Sequence, residues 1–98
     1  MDIEHRTILV TGSTGFIGSY LAKRLVRFHD TQVLGLIKDQ TVPTHLIDGL
    51  FVENAFGDMT SLNDMRNASR GCDVVVHCAV GEPNENSLGT RNVIQAAL

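Results

Sequence analysis

ILVTGSTGFIGSYLAKRL, residues 8–25, places three glycines three residues apart where an apolar run gives way to a helical segment. In such a turn, Gly12 permits a tight bend, Gly15 lets the backbone approach a pyrophosphate, and Gly18 lets the helix pack closely on the sheet. Backbone N–H groups and the helix dipole converge there, so the stretch predicts a phosphate site. The alternative is a tight strand-to-helix turn without a ligand. A nucleoside triphosphate loop is disfavoured because no Gly-Lys-Ser/Thr follows.

Short apolar runs alternate with helical segments along the rest of the chain. Four of these runs are predicted as strands, at Thr7–Val10, Gln32–Ile37, Leu50–Phe56 and Asp73–Val80. Their near-continuous apolar character indicates that helices cover both faces of the sheet, as in parallel sheets. Right-handed crossovers then give a doubly wound α/β fold.

Three segments are predicted as helices. The first presents one apolar face, formed by Ile17, Leu21, Leu25 and Phe28. The second is capped by Thr60 or Ser61 and ended by Gly71. The third is capped by Asn86 or Ser87 and runs to the last residue.

Composition excludes several classes of protein. The chain has 98 residues, 43% hydrophobic and 19% charged, with a net charge of −3, which predicts one small globular domain. No basic run suggests nucleic acid as a partner, and no apolar run is long enough for a membrane. Without an apolar signal region at the start, we expect a cytoplasmic protein. Cys72 and Cys78 are six residues apart, which fits neither a redox nor a zinc motif, so we expect reduced thiols and no metal site.

Four segments occur in a family-specific order: TGSTGFIGSYL, FGDMTS, DVVVHCAV and NSLGTRNVIQAA. They resemble the cofactor signature, the Gly-Asp-(Leu/Met) segment, the fourth strand and the Asn-x-x-Gly-Thr-x-Asn helix of the extended short-chain dehydrogenase/reductase superfamily, the NAD(P)-dependent epimerase/dehydratase group. The resemblance runs from about Thr7 to Leu98. It implies a partial Rossmann-type doubly wound parallel sheet of about four strands, in the order 3-2-1-4, with three helices.

The resemblance also implies a dinucleotide cofactor and a set of residues that bind it. Backbone N–H groups and side chains near the glycines would surround the pyrophosphate, Asp58 would accept from the adenine amino group, and Ala79 would lie near the nicotinamide ribose. The alternative role for Asp58 is a helix cap or turn residue. The cofactor-binding residues implied in this way are Gly12, Ser13, Thr14, Gly15, Phe16, Ile17, Gly18, Lys38, Asp58, Met59, Ala79 and Val80.

The end of the second strand discriminates between NAD and NADP. A carboxylate there accepts from the ribose hydroxyls of NAD, whereas a cation pairs with the 2′-phosphate of NADP. In this chain the strand ends at Ile37 and is followed by Lys38 and Asp39. By the resemblance, Lys38 occupies the basic position of NADP-using relatives, and Asp39 points elsewhere. NADP is therefore favoured over NAD, the alternative being that Lys38 is an ordinary solvated lysine.

The chain lacks the family's catalytic Tyr-x-x-x-Lys pair. Its one tyrosine, Tyr20, is followed by Lys23 at the wrong spacing and belongs to the first helix, so we assign no catalytic residue. The six residues GEPNEN replace a longer stretch that borders the substrate in the family, which weakens any substrate assignment. Residues 1–98 are therefore expected to be the N-terminal part of a cofactor-binding domain.

Three functions remain open from the sequence. In the first, the chain is the cofactor-binding part of a sugar-nucleotide epimerase/dehydratase-like oxidoreductase. In the second, it is a non-catalytic dinucleotide-binding or sensing module. In the third, it is a remnant fold that binds nothing. In each case the fourth strand would lie at a bare, apolar edge of the sheet. Such an edge is a template for pairing with another chain, so we expect a homodimer, a domain swap or poor solubility.

Overall fold

A computed structural model describes residues 5–28, 30–39, 41–81 and 83–98. It contains four strands and three helices that alternate as the sequence predicts. The elements in chain order are β1 (Thr7–Thr11), α1 (Phe16–Phe28), β2 (Gln32–Ile37), β3 (Val52–Phe56), α2 (Leu62–Ser69), β4 (Val74–His77) and α3 (Pro83–Ala97).

The four strands form one parallel sheet in the order β3-β2-β1-β4. In the centre of this sheet, Leu9 of β1 is paired with Leu34 of β2 and with Val75 of β4. The strand order and the number of helices confirm the predicted doubly wound arrangement. Because the strands are parallel, their carboxyl ends and the loops that follow them all lie at one edge of the sheet.

Alternate residues of β1 point to opposite faces of the sheet, and both faces are covered. Ile8 and Val10 pack with Ala22 and Leu25 of α1 on one face. Leu9 packs with Met65 of α2 on the other, where α3 also contributes. All three strand residues are almost fully buried. This explains why β1 is a continuous apolar run and does not alternate with polar residues.

The ends of several strands differ from the sequence prediction. β1 continues to Thr11, and β3 begins at Val52 because residues 47–50 form a turn in which the Leu50 N–H donates to the Ile47 carbonyl. β4 ends at His77 and does not reach Val80. After His77 the Cys78 N–H makes the last bond of the ladder, to the Thr11 carbonyl, and the Cys78 and Ala79 N–H groups also donate to the Thr11 hydroxyl.

The predicted start of the last helix is wrong. α3 begins at Pro83, several residues before the predicted caps Asn86 and Ser87. Proline suits the first position of a helix, since its ring presets φ and its missing N–H would have no partner there. The Asn86 Oδ1 does accept a backbone N–H, from Gly81 at 2.7 Å, but Asn86 does so from within the helix.

The other helix predictions are confirmed in part. Ser61 caps α2 by accepting from the Asp64 N–H, and α2 ends at Ser69, two residues before Gly71. On the predicted apolar face of α1, Leu25 is buried and Leu21 packs beside it. Ile17 is 72% exposed, so its place on that face is wrong. The side chain of Phe28, predicted to complete the face, lies outside the described part of the structure.

Candidate functional site

A cleft of about 490 Å³ opens at the edge of the sheet where the parallel strands end. It lies between the loop that precedes α1, the ends of β2 and β3, and the segment that follows β4. All of the predicted cofactor-binding residues except Ser13 line it. The sequence analysis missed the other lining residues, namely Leu36, Ile37, Val42, Gly57, Cys78, Gly81 and Glu85.

Ser13 is fully buried beside the cleft. A Cβ added at Gly35 of β2 would come within 2.5 Å of the Ser13 Oγ, so the hydroxyl fills the space that this glycine leaves. The Oγ has no hydrogen-bond partner among the residues that the structure describes. The side chain of Ser13 therefore packs the loop against the sheet and does not form a wall of the cleft.

Two glycines of the loop are required by the chain itself. Gly12 has a φ of +72°, and a Cβ there would come within 2.7 Å of the Ala79 backbone nitrogen. A Cβ at Gly18 would overlap the carbonyl oxygen of Gly12. Gly18 thus allows α1 to approach the loop, whereas the sequence analysis assigned it to packing on the sheet. Together these contacts hold the loop between α1 and the segment after β4.

Gly15 differs from its two neighbours in the motif. It is exposed, and the nearest atom to a Cβ built there is the Gly12 carbonyl oxygen, at 3.4 Å. The residue directly precedes α1, and its own carbonyl accepts the Ser19 N–H. No close contact within the chain therefore requires glycine at this position. The missing side chain leaves the backbone open to the cleft.

The amino end of α1 faces the cleft. Phe16, Ile17 and Gly18, the first three residues of the helix, all line it. N–H groups in the first turn of a helix have no partner within the helix, and the dipole makes this end positive. The first turn of α1 carries no acidic side chain to compensate that charge. This part of the cleft is suited to an anion.

Lys38 and Asp58 lie together at the side of the cleft formed by β2 and β3. The Lys38 Nζ is 3.8 Å from the Asp58 Oδ2. The Asp58 Oδ1 accepts from the Thr60 N–H at 2.9 Å and from the Thr60 hydroxyl at 2.8 Å. These hydrogen bonds, and to a smaller extent Lys38, lower the pKa of Asp58. Asp58 is thus a turn residue, and its second oxygen is directed at Lys38.

Asp39 does not line the cleft, although it directly follows Lys38. Its carboxylate accepts from the backbone N–H of Thr41 at 2.8 Å and from the Thr41 hydroxyl. These hydrogen bonds lower the pKa of Asp39. Lys38 therefore contributes a charge to this side of the cleft, and Asp39 stabilises the following turn.

A hydrogen-bond network joins β1 to the segment after β4. The Thr11 Oγ1 accepts from the Cys78 and Ala79 N–H groups and lies 2.6 Å from the His77 Nδ1. Because its acceptor sites are used by two N–H groups, the hydroxyl donates to Nδ1, and the proton of the neutral ring is on Nε2. Nε2 is 3.4 Å from the Thr90 Oγ1. Burial of the ring lowers the pKa of His77.

Side chains of α3 contact Met59, which lines the cleft, and His77 at the end of β4. The buried Asn92 side chain donates to the Met59 carbonyl at 2.9 Å, and a Cβ at Gly89 would come within 2.7 Å of the Met59 Sδ. Gly89, Thr90 and Asn92 belong to the NSLGTRNVIQAA segment. That segment therefore positions Met59 and His77, a role that the sequence analysis did not assign to it.

The remaining candidate residues have no role assigned to them in the cleft, although Cys78 lines it. Tyr20 is 65% exposed on α1, consistent with a surface residue. Cys72 and Cys78 are free thiols. In the described ranges, no three metal-binding side chains come together. No helix in those ranges is long and apolar enough to cross a membrane.

Comparisons with known proteins agree with this fold. The family model "NAD dependent epimerase/dehydratase family" matches residues 8–98. The chain is 34% identical over 101 residues to sterol demethylase protein B of Methylococcus capsulatus, covering 93% of this chain and 30% of that protein. It is 36% identical over 74 residues to the UDP-glucose 4-epimerase of Vibrio cholerae, covering 76% of this chain and 21% of that protein. The chain thus spans less than a third of the length of these two relatives.

A solved structure shows the same arrangement. A mutant uronate dehydrogenase from Agrobacterium tumefaciens, complexed with NAD, superposes with a TM-score of 0.70 at 26% sequence identity. The alignment covers 94% of this chain and 36% of the dehydrogenase chain. Its similarity therefore extends over nearly all of the sheet and helices described above.

Substituting Gly18 by alanine is expected to destabilise the protein, because the new Cβ overlaps the Gly12 carbonyl oxygen. We expect the free energy of unfolding to fall by about 1–3 kcal/mol in urea denaturation, as overpacked sites do. Gly15→Ala is the matched control and should cost less than about 1 kcal/mol, the usual difference at a helix start. Equal losses in the two variants would contradict this assignment of the glycines.

Stability should decrease as the pH falls below about 6.5, the ordinary pKa of histidine. The folded state lowers the pKa of His77, so between its folded and unfolded pKa values the unfolded chain binds more protons, and stability rises with pH. His77→Gln should flatten the dependence of the unfolding free energy on pH in this window. The exposed His45→Gln variant is the control, and an unchanged slope in His77→Gln would refute the role of His77.

Proposed function

The chain belongs to the NAD dependent epimerase/dehydratase family, and from this premise we propose that its cleft binds the nicotinamide dinucleotide of an epimerase-, dehydratase- or reductase-type oxidoreductase. The single observation that carries the proposal is Gly15. Its missing side chain relieves no close contact within the chain, yet it leaves the backbone bare beside the amino end of α1. That is what an approaching pyrophosphate needs, and a ligand-free turn has no such requirement.

The cleft residues fit such a cofactor along its whole length. The pyrophosphate would lie against the loop and the first turn of α1. The adenosine half would extend toward Lys38 and Asp58, where Ile37 and Val42 provide apolar walls. The nicotinamide half would extend along Ala79. When bound, the nicotinamide ring would supply hydride transfer, and this chain would hold and orient the dinucleotide.

Asp58 can serve both as a turn residue and as a cofactor ligand. Its Oδ1 is engaged by Thr60, whereas its Oδ2 lies 3.8 Å from the Lys38 ammonium, and both residues line the cleft. An oxygen in that position could accept from the adenine amino group. The two roles of Asp58 that the sequence left as alternatives are therefore compatible with each other.

We favour NADP over NAD as the cofactor. Among the described residues that line the cleft, Lys38 is the only basic one. Its ammonium can pair with a 2′-phosphate, whereas Asp39, which follows it, is engaged by Thr41 and does not line the cleft. A lysine at this position and no carboxylate facing the ribose from the end of β2 favour the phosphorylated cofactor.

We assign the catalytic step to none of the residues of this sequence. Tyr20 is the one tyrosine among the 98 residues, and it does not form the Tyr-x-x-x-Lys pair of the family. We therefore propose that these residues are the N-terminal part of the cofactor-binding domain and bind dinucleotide without turnover. Binding without turnover would equally suit a sensing module.

For the whole protein, we infer a sugar nucleotide or a related alcohol or carbonyl compound as substrate. The similarity to a UDP-glucose 4-epimerase supports this inference. The free thiols Cys72 and Cys78 favour the cytoplasm, where cysteines stay reduced. The net charge of −3 argues against nucleic acid as a partner.

We further propose that the chain forms a homodimer through β4. Among the described strands, β4 pairs with β1 only, and its other edge is open. Val74, Val75 and Val76 are each only partly buried. An open strand of apolar residues is a template for a strand from a second chain.

Thermal shift titrations with NADP and NAD test the cofactor proposal. A ligand at about 100 times its Kd stabilises the folded state by about 2.7 kcal/mol, which corresponds to a rise in Tm of roughly 10 °C or more for a small domain. We expect tighter binding of NADP than of NAD. Lys38→Met should weaken NADP binding about two- to tenfold and leave NAD binding nearly unchanged.

Gly15→Ala supplies the matching control for the pyrophosphate site. This variant should keep its stability but lose affinity for both cofactors, since the new methyl group lies where the backbone must approach the ligand. No shift with either dinucleotide in the unchanged chain would overturn the proposed function. A larger shift with NAD than with NADP would overturn only the cofactor preference.

Size-exclusion chromatography with light scattering tests the dimer. The chain concentration should range from about 1 to about 100 μM, because weak dimers form in this range. We expect the apparent mass to rise from that of one chain toward that of two, because strand pairing is driven by mass action. A single monomeric peak throughout this range would rule out pairing through β4.

A further inference from the structure

The contact between Lys38 and Asp58 has a consequence for cofactor selection, and the inference rests on the function proposed above. Lys38 is the described cleft residue that could pair with a 2′-phosphate, and its ammonium already lies 3.8 Å from the Asp58 carboxylate. The side chains are 62% and 34% exposed, respectively. The ion pair is therefore weak enough for a ligand to exchange, but close enough to affect the ligand's affinity.

Asp58 is the fixed member of the pair. Its Oδ1 accepts two hydrogen bonds from Thr60, and its backbone N–H donates to the Asp64 Oδ2 at 3.0 Å. Ser61, which follows Thr60, is the N-cap of α2. Lys38, by contrast, is a long, exposed side chain just past the end of β2. When a phosphate draws the ammonium away, Lys38 moves and the carboxylate stays in place.

We propose that Asp58 limits the preference of this site for a 2′-phosphorylated dinucleotide by holding the ammonium of Lys38 that the phosphate must recruit. NAD brings a neutral hydroxyl to this position and leaves the ion pair intact. NADP brings a phosphate with a charge near −2, which competes with Asp58 for the same cation. Asp58 therefore acts as a specificity-determining residue, through Lys38.

The ratio of the two affinities isolates this effect. Any hydrogen bond from the adenine amino group to Asp58 is the same in NAD and NADP, so it cancels in the ratio. The competition for Lys38 occurs only with NADP and does not cancel. If Asp58 instead preorganised Lys38 for the phosphate, removing its charge would lower the preference for NADP.

The experiment measures the Kd values of NAD and NADP for the unchanged chain, Asp58→Asn, Lys38→Met and the double variant, all at one ionic strength. Asn keeps an oxygen for the Thr60 hydrogen bonds and replaces the charged oxygen that faces Lys38 with a neutral NH2 group. We expect Asp58→Asn to raise the preference for NADP about two- to fivefold, the range of an exposed ion pair. In the Lys38→Met background the same substitution should change the preference by less than half as much.

Two controls make the result specific. Glu53→Gln removes a carboxylate from the start of β3, far from the carboxyl edge of the sheet, and should leave the preference unchanged. Asp58→Ser removes the charge while keeping a short acceptor, so it provides the same test should Asp58→Asn fold poorly. An unchanged or lowered preference in the charge-removing variants would overturn the proposal. An equal gain with and without Lys38 would also overturn it, since Asp58 would then act on the phosphate directly.

The failure of this inference differs from the failure of the proposed function. If neither cofactor stabilises the unchanged chain, the cleft is not a dinucleotide site and both proposals fall. If both cofactors bind and the charge of Asp58 has no effect on their ratio, only the role of Asp58 is refuted.

Discussion

The close approach of three backbone segments at the carboxyl edge of the sheet is the constraint on which the rest of this structure depends. The loop after β1 contacts two other segments at Gly12. The Gly12 α-carbon lies against the backbone of Ala79, and the Gly12 carbonyl oxygen lies against Gly18 of α1. Neither contact has room for a Cβ. The Thr11 hydroxyl, fully buried, ties the same segments by accepting two N–H groups from residues 78 and 79.

The packing of the loop after β1 between α1 and the segment after β4 also forms the cleft. The turn at Gly12 directs the amino end of α1 toward the cleft, and the strands on either side place Lys38, Asp58 and Ala79 around it. Only Gly15, of the three glycines in the motif, faces the cleft without supporting the fold. Within one short motif, Gly12 and Gly18 are thus required by contacts in the chain and Gly15 is not, and the difference lies in the space around their missing side chains.

Much of the fold could be predicted from the sequence because its signals are local. The β-branched runs, the glycine spacing and the Ser61 cap each depend on a few neighbouring residues. Predictions failed where the deciding contacts are distant in sequence. β4 ends early because the N–H groups of residues 78 and 79 donate to the Thr11 hydroxyl. The start of α3 was missed for a local reason, because the ring of Pro83 favours the first helical position over the polar residues that follow. Ile17 joins the cleft because α1 meets the loop at its first turn.

The sequence by itself determined the family, the doubly wound order of the elements and eleven of the eighteen described residues that line the cleft, because these follow from motifs whose spacing carries their geometry. Only the tertiary structure decided what each residue does there. It shows that Ser13 packs against Gly35 and that Asn92 donates a hydrogen bond to the Met59 carbonyl. It also shows that Asp58 accepts hydrogen bonds from Thr60 and forms an ion pair with Lys38. Apart from the hydrogen bonds between Asp58 and Thr60, these roles arise from contacts between residues tens of positions apart, and a pattern of neighbours holds no information about such contacts.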